Sequence, residues 1–440
     1  MAAVPSAEST REVDVLVIGG GPAGSTAATL LAEKGYRVAL IEKERHPRFH
    51  IGESLLPSNL PLFERLGVAD EIRAIGMQKW GAEFVASWLG RSETFEFKDS
   101  WRPNPPYAYQ VRRSQFDEIL IRRAGRAGAD VTEGCRVREV EFADDAFPVR
   151  ATAVHDGGRL EQLRARFLVD ASGRDTFLAG KMRVKKRNPK HSSAAMYGHF
   201  HGARRYEGKQ AGNISIYWFE HGWFWFIPLA DGTTSVGSVV WPTYMKERTV
   251  PVTDYFLATI ELCAPLAERL KDAKLVTAVE ATGNYSYQSE RSHGPHYILI
   301  GDAFAFVDPM FSSGVWLAMN SAAQGADVVD TCLRNPADAA ATLRRFDRTM
   351  RQGPGVFSWF IYRITNPAMR DLFMHPRNTL RMKNAILSVL SGDIFGSTPI
   401  WGSLRAFKSL YYFVSLLNLP RSIAAFRRHV NDIAADAPGE

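Results

Sequence analysis

Three stretches of this 440-residue chain predict an α/β fold with an added sheet region and a helical end. The first is the opening "EVDVLVIGGGPAGSTAATLLAEKGYRVALIEKE", which reads strand, glycine turn, helix, strand. The second is the segment 211–241, an antiparallel meander with turns at Glu220-His221-Gly222 and Asp231-Gly232. The third is the region after about residue 340, helical in pattern and interrupted by Pro354, Pro367, Pro376, Pro399 and Pro420.

Each element has a local cause. Residues 13–18 form an unbroken apolar, largely β-branched run, which suits a strand covered on both faces. An Ala- and Leu-rich segment follows, then "YRVALIE" as a second strand. The segment 115–127 has helical spacing, strand character returns around 167–171, and "YILIGD" is a further buried strand ending at Asp302. A helix begins near Gly314. The line "GWFWFIPLADG" (Gly222 to Gly232) is unusual, because a strand with one wet face alternates apolar and polar residues and this one does not. Its alternation instead sends Trp223 and Trp225 to one face and Phe224 and Phe226 to the other, so both faces must be covered. Pro228 lacks an N–H and ends pairing at the strand tip.

Composition narrows the function classes. At 45% hydrophobic the chain can bury a large core in two or three domains or one interleaved unit. No run reaches the roughly 18 to 20 uncharged apolar residues that cross a bilayer. "MAAVPSAESTRE" lacks the basic start and apolar core of a secretory signal, so residues 1–11 read as a disordered leader. Three scattered cysteines, Cys135, Cys263 and Cys332, suggest neither a disulfide framework nor a metal site, and a cytoplasmic location is the expectation. Of the net charge of +7, ten Lys/Arg against five Asp/Glu from Ile361 onward place +5 in the last 80 residues. No nucleic-acid motif accompanies that excess. The segment "SLYYFVSLLNLPRSIAAFRR" is apolar and then basic. It reads as core packing, as a dock for an acidic acyl carrier protein, or as peripheral membrane contact.

Gly19, Gly21 and Gly24 form G-x-G-x-x-G after a strand and before a helix, the context a dinucleotide fingerprint requires. Gly19 permits the tight turn, Gly21 lets a pyrophosphate approach and Gly24 lets helix and strand pack closely. The helix N-terminus then offers unpaired N–H groups to phosphate. Glu42 ends the second strand, where a carboxylate accepts ribose hydroxyls and favours an unphosphorylated ribose, as in FAD or NAD.

"YQVRRSQFD" with Arg113, "VDASG" with Asp170, and "LIGDAFAFVDP" with Gly301, Asp302 and Pro309 resemble the signatures of the flavoprotein monooxygenases of the hydroxybenzoate-hydroxylase fold. The motifs run in family order over about residues 12–345, and the resemblance implies FAD. It places Pro22, Ala23, Lys43, Arg48 and Ser54 with the glycines, Glu42, Arg113, Asp170, Gly301, Asp302 and Pro309 around that cofactor. The implied fold class is α/β: a Rossmann-like FAD-binding domain interleaved with an antiparallel β-sheet substrate domain, plus a helical C-terminal region. The expected FAD module takes about 12–78, 108–185 and 280–345; the substrate sheet takes 79–107 and 186–279, and the helical region 346–440.

Within that superfamily the chain is similar to the flavin-dependent halogenases. Trp223, Trp225, Ile227 and Pro228 match W-x-W-x-I-P, and "FVDPMFSSGV" matches F-x-x-P-x-x-S-x-G through Phe306, Pro309, Ser312 and Gly314. Lys79 in "GMQKWGAEF" matches the family's single essential lysine. A lone lysine is by default a solvated charge; its company with the other motifs reverses that reading. The resemblance implies that reduced FAD and O2 give a flavin C4a-hydroperoxide, which makes hypohalous acid from chloride or bromide. Lys79 would deliver the halogen to an electron-rich phenol-like or pyrrole-like ring, free or tethered to an acidic acyl carrier protein. A separate flavin reductase would supply the reduced cofactor.

Trp223, Trp225, Ile227, Pro228 and Phe311 would form the barrier and tunnel between oxidant and substrate. Ser312, Ser313 and Gly314 would hold the halide with backbone donors, or cap the following helix. Tryptophan halogenases carry a glutamate where this chain has Phe311, which points away from free tryptophan. His50, Glu53 and Asp308 are candidate substitutes for that acid. The alternative is an NAD(P)H-dependent aromatic hydroxylase of the same fold.

Overall fold

Two eight-stranded sheets dominate the described residues, beside a three-stranded and a two-stranded one, and the cavity is lined from both large sheets. The computed structural model describes residues 10–102, 105–283, 286–364 and 366–435. Strand β1 (Thr10–Ile18) begins two residues inside the expected leader, because Thr10 and Arg11 pair with Gln162 and Leu163; residues 1–9 lie outside the described set. Helix α1 (Pro22–Glu33) and strand β2 (Val38–Glu42) complete the βαβ unit. The parallel core runs Tyr297–Leu299, Leu160–Asp170, β1, β2, Asp130–Glu133. Every residue of β2 is buried, as continuous apolar strands between helix layers must be. Gly19 has φ +100°, and a Cβ on Gly24 would stand 1.8 Å from the Gly19 carbonyl oxygen. Only glycine lets α1 seat that close to β1.

The second sheet carries the aromatic strand. Strands β3 (Met77–Lys79) and β4 (Gly81–Ala86) come early in the chain, and Met77–Lys79 pairs with Ala108–Gln110 in a separate ribbon. The meander then supplies β5 (Ile214–Phe219), β6 (Gly222–Pro228) and β7 (Thr233–Val240), paired antiparallel in sequence. The sheet is antiparallel as expected except for one seam, where β4 and β5 pair parallel. Some 130 residues separate the two strands, and such a long connection can return in either direction.

The alternation along β6 is visible in its two cores. Trp223, Trp225 and Ile227 join Phe84, Trp218 and Phe311 on one side. Phe224 and Phe226 join Phe256 and Leu266, from the helices Val252–Glu261 and Ala264–Leu270, on the other. Each aromatic ring buries 150–250 Å² in such a setting, about 4–6 kcal/mol of gross transfer free energy. Gly237 faces Trp225 in register, and a Cβ there would lie 2.2 Å from the indole.

Helices α2 (Gly314–Arg334) and α3 (Pro336–Ile361) lead into the C-terminal region. Pro354 lies inside α3 and does not break it. The turn around it is held by Val356, Phe357, Phe360 and Ile361, all buried in the core that Trp223 and Trp225 join. Gly353 lets that turn approach Leu317 and Phe395, where a Cβ would meet them at 2.6 and 2.8 Å. Packing therefore outweighs the lost hydrogen bond. Pro367 opens its own helix, α4 (Pro367–Met374), and is followed by α5 (Met382–Ser391), α6 (Trp401–Leu417) and α7 (Leu419–Ala435). No helix among the described residues is long and apolar enough to cross a membrane.

Candidate functional site

A cavity of about 770 Å³ runs from the glycine turn to the aromatic strand. Gly19, Gly21, Pro22, Ala23, Glu42, Lys43, Arg48, Ser54, Arg113, Asp302, Pro309, Ser312 and Gly314 all line it, with Trp223, Trp225 and Ile227 at the sheet side. A Cβ on Gly21 would meet only the Arg48 guanidinium, at 3.6 Å, so this turn leaves room for a group against its backbone. No side chain caps α1, whose free N–H groups are a seat for phosphate. Glu42 accepts hydrogen bonds from the Gly20 N–H at 2.5 Å and the Glu44 N–H at 2.9 Å. Its carboxylate therefore shapes the turn as well as facing the cavity.

Arg113 is buried and forms a two-pronged pair with Asp117, at 2.7 and 2.9 Å, while donating to the Ile51 carbonyl at 2.7 Å. Arg48 stands 3.3 Å from the same aspartate. Burial pushes the Asp302 carboxyl up to about 6 against the pull of Arg113 and Arg174. His50, pressed by burial and by Arg113, falls to about 4 and is neutral at pH 7.

Several predicted residues lie outside the lining. Asp170 is buried and accepts from the Ser172 and Leu178 N–H groups, shaping the turn beside the cavity. Gly24 and Gly301 act through close approach; Gly301 has φ +56°. Pro228 ends β6 paired to Thr234. Phe311 packs with Phe357, Phe360 and Phe373 in the core beyond the tryptophans. Ser312, which does line the cavity, adopts φ +55° just before α2. The Ser313 side chain makes no cap, and its buried hydroxyl has no hydrogen-bond partner among the described residues.

Lys79 is the exceptional charge. It is 1% exposed, and its Nζ donates to Ser54 Oγ at 2.9 Å and the Leu55 carbonyl at 3.1 Å, with the Phe97 ring 5.3 Å away. Among the described residues no carboxylate forms an ion pair with it, and burial alone lowers its pKa to about 7. Ser54 links it to the cavity by a single hydrogen bond.

The candidate acids are already engaged. Glu53 is paired with buried His199 at 2.9 and 3.1 Å. Asp308 accepts from the Met310 N–H and pairs with His191 at 3.0 Å. The lining also includes Ala195, Tyr197 and Ile214, which no sequence motif marks; they reach the cavity because the sheet carries them there.

The glycine turn and open helix N-terminus have the form of a dinucleotide-phosphate seat. Residues 12–342 match the FAD binding domain family. A tryptophan 2-halogenase of Chondromyces crocatus is 38% identical over 76% of this chain, and the chain spans 64% of that relative's length. The 1H-pyrrole-2-carbonyl-[peptidyl-carrier protein] chlorinase of Pseudomonas fluorescens is 29% identical over 88% of this chain and 90% of its own length. Among solved structures, the myxobacterial chondrochloren halogenase CndH superposes with a TM-score of 0.76 at 31% identity, covering 98% of both chains. A flavoprotein/dehydrogenase from Cytophaga hutchinsonii superposes with a TM-score of 0.80 at 31% identity, covering 87% and 93%. The chain belongs to the flavin-dependent halogenases, a family of FAD enzymes.

Proposed function

We propose that this chain halogenates an electron-rich aromatic ring, phenol-like or pyrrole-like, using reduced FAD, O2 and chloride or bromide, with Lys79 as the carrier of the halogen. The observation that supports this most is the burial of Lys79 with no counter-ion among the described residues, one hydrogen bond behind the cavity wall. A structural lysine would be paired or would reach solvent.

Bound reduced FAD and O2 supply the oxidant that turns halide into hypohalous acid. The chain's residues do the rest. The first turn of α1, Gly21, Arg48 and Arg113 suit the cofactor's phosphates and ribityl chain, and Asp302 faces the same cavity. Trp223, Trp225 and Ile227 wall the cavity and keep an organic ring from the oxidant. The Ser313 and Gly314 N–H groups at the start of α2 are the backbone donors offered to halide, while the Ser312 N–H is taken by the Pro309 carbonyl at 2.9 Å. With a pKa near 7, Lys79 populates both forms at neutral pH. The ammonium orients hypohalous acid by hydrogen bonding. The neutral amine reacts with it to form an N–halogen bond and release water; the ring carbon then takes the halogen and returns a proton to nitrogen.

Phe311, in place of an acid, favours a ring activated by its own OH or NH. The pyrrolyl-carrier relative supports a carrier-tethered substrate, and a separate reductase would deliver the reduced flavin. The test is mass spectrometry of free and carrier-bound phenols and pyrroles after incubation with reduced FAD, air and halide. The reading requires halogen isotope patterns that disappear in Lys79→Ala while flavin oxidation continues. A hydroxylated product, or halogenation that survives Lys79→Ala, overturns it.

A further inference from the structure

Among the described residues nothing covers an apolar stripe on the last two helices. Helix α6 docks through Leu404, Phe407 and Tyr411, all buried against the core. Its other face, and the stripe at i, i+3, i+7 on α7, point outward. Phe413 is 58% exposed, Leu416 65% and Leu417 68%; Ile423, Phe426 and Val430 continue the series at 42, 67 and 44%. These six fall within residues 413–430, and isolated exposed apolar residues elsewhere do not form such a run. Arg405, Arg421 and Arg427 are exposed in the same region. From Ile394 to Asn431 the sequence carries no Asp or Glu, against five Lys/Arg.

We propose that α6 and α7 form a peripheral docking surface for an anionic lipid membrane, independent of the reaction assigned above. Charge selects the occupant. A second copy of this chain on a two-fold axis would set the same cations against each other, which is unfavourable. A protein interface centres on a handful of buried anchors, mostly Trp, Tyr and Arg, inside a polar rim, whereas this stripe is Phe, Leu, Ile and Val. Six open apolar side chains flanked by arginines match helices that lie in the headgroup region with their apolar face in the acyl chains. Neither helix is long and apolar enough to cross, so the attachment is to one leaflet.

The experiment is co-sedimentation of the FAD-loaded full chain with vesicles of phosphatidylcholine alone and vesicles enriched in phosphatidylglycerol. The proposal expects pelleting with the anionic vesicles and release when salt shortens the screening length from about 10 Å to about 3 Å. Phe413→Glu with Phe426→Glu should weaken binding by about tenfold or more per site. Arg421→Gln and Arg427→Gln should cost about fivefold each. Flavin absorbance and melting temperature report that these variants remain folded. Failure to pellet with anionic vesicles overturns the proposal. So does equal, salt-insensitive binding to neutral ones. Two other results overturn it if vesicles are ignored: a concentration-dependent dimer that the Phe413 and Phe426 variants dissolve, or an acidic carrier protein that binds the wild type and not those variants.

Discussion

Replacing Lys79 with methionine should stabilise the protein at neutral pH, by an amount that shrinks as the pH rises. The lysine pKa is about 7 in the folded chain against its ordinary 10.5. Between these values the unfolded chain binds a proton that the folded chain has lost, so stability rises with pH across this window. Below it, both states are protonated and the native state bears the full cost of a buried ammonium, about 5 kcal/mol. At pH 6.5 nearly all of that cost remains, and at pH 9.5 about 1.5 kcal/mol. Methionine fills a similar volume and carries no charge. It also leaves Ser54 Oγ and the Leu55 carbonyl without their donor, a loss that does not depend on pH. The difference between the two pH values isolates the charge, at about 3 kcal/mol. With an unfolding entropy of about 2.1 cal/mol/K per residue, that corresponds to about 3 °C for a chain of this length. Differential scanning fluorimetry of wild type and Lys79→Met at pH 6.5 and 9.5 measures it. A melting-temperature gap that is the same at both pH values refutes the argument, because it would mean the lysine titrates normally in the fold.

Other perturbations have defined outcomes. Gly237→Ala places a methyl against the Trp225 indole and should cost about 1–3 kcal/mol while displacing that wall; calorimetry and peroxide leakage during flavin oxidation check the two effects. Asp117→Asn strips the buried Arg113 of its partner and should destabilise by about 3–5 kcal/mol in urea melts, with weaker FAD retention. Asp302 has a raised pKa, so its charge costs stability above that pKa and not below the ordinary carboxylate range. Asp302→Asn should therefore raise the apoprotein melting temperature at pH 7.5 and leave it little changed at pH 3.5. An equal shift at both would show that charge is not the cause.

The sequence alone determined what local chemistry controls. Gly19 needs a positive φ and Gly24 a missing Cβ whatever surrounds them, so the nucleotide turn was legible from spacing. The period-two alternation of strands likewise assigned Trp223 and Trp225 to one face and Phe224 and Phe226 to the other before any packing was known. Tertiary structure decided what depends on distant neighbours. Pro354 continues a helix because residues on other elements hold that turn, and β4 lies parallel to β5 because a long connection leaves direction free. Phe311 sits among Phe357, Phe360 and Phe373, contacts that no motif contains. Lys79 shows the division most clearly: its place in the chain is a motif, but its lowered pKa comes from the removal of water by elements far away in sequence. Desolvation is a property of the packed surroundings, and no local pattern encodes it.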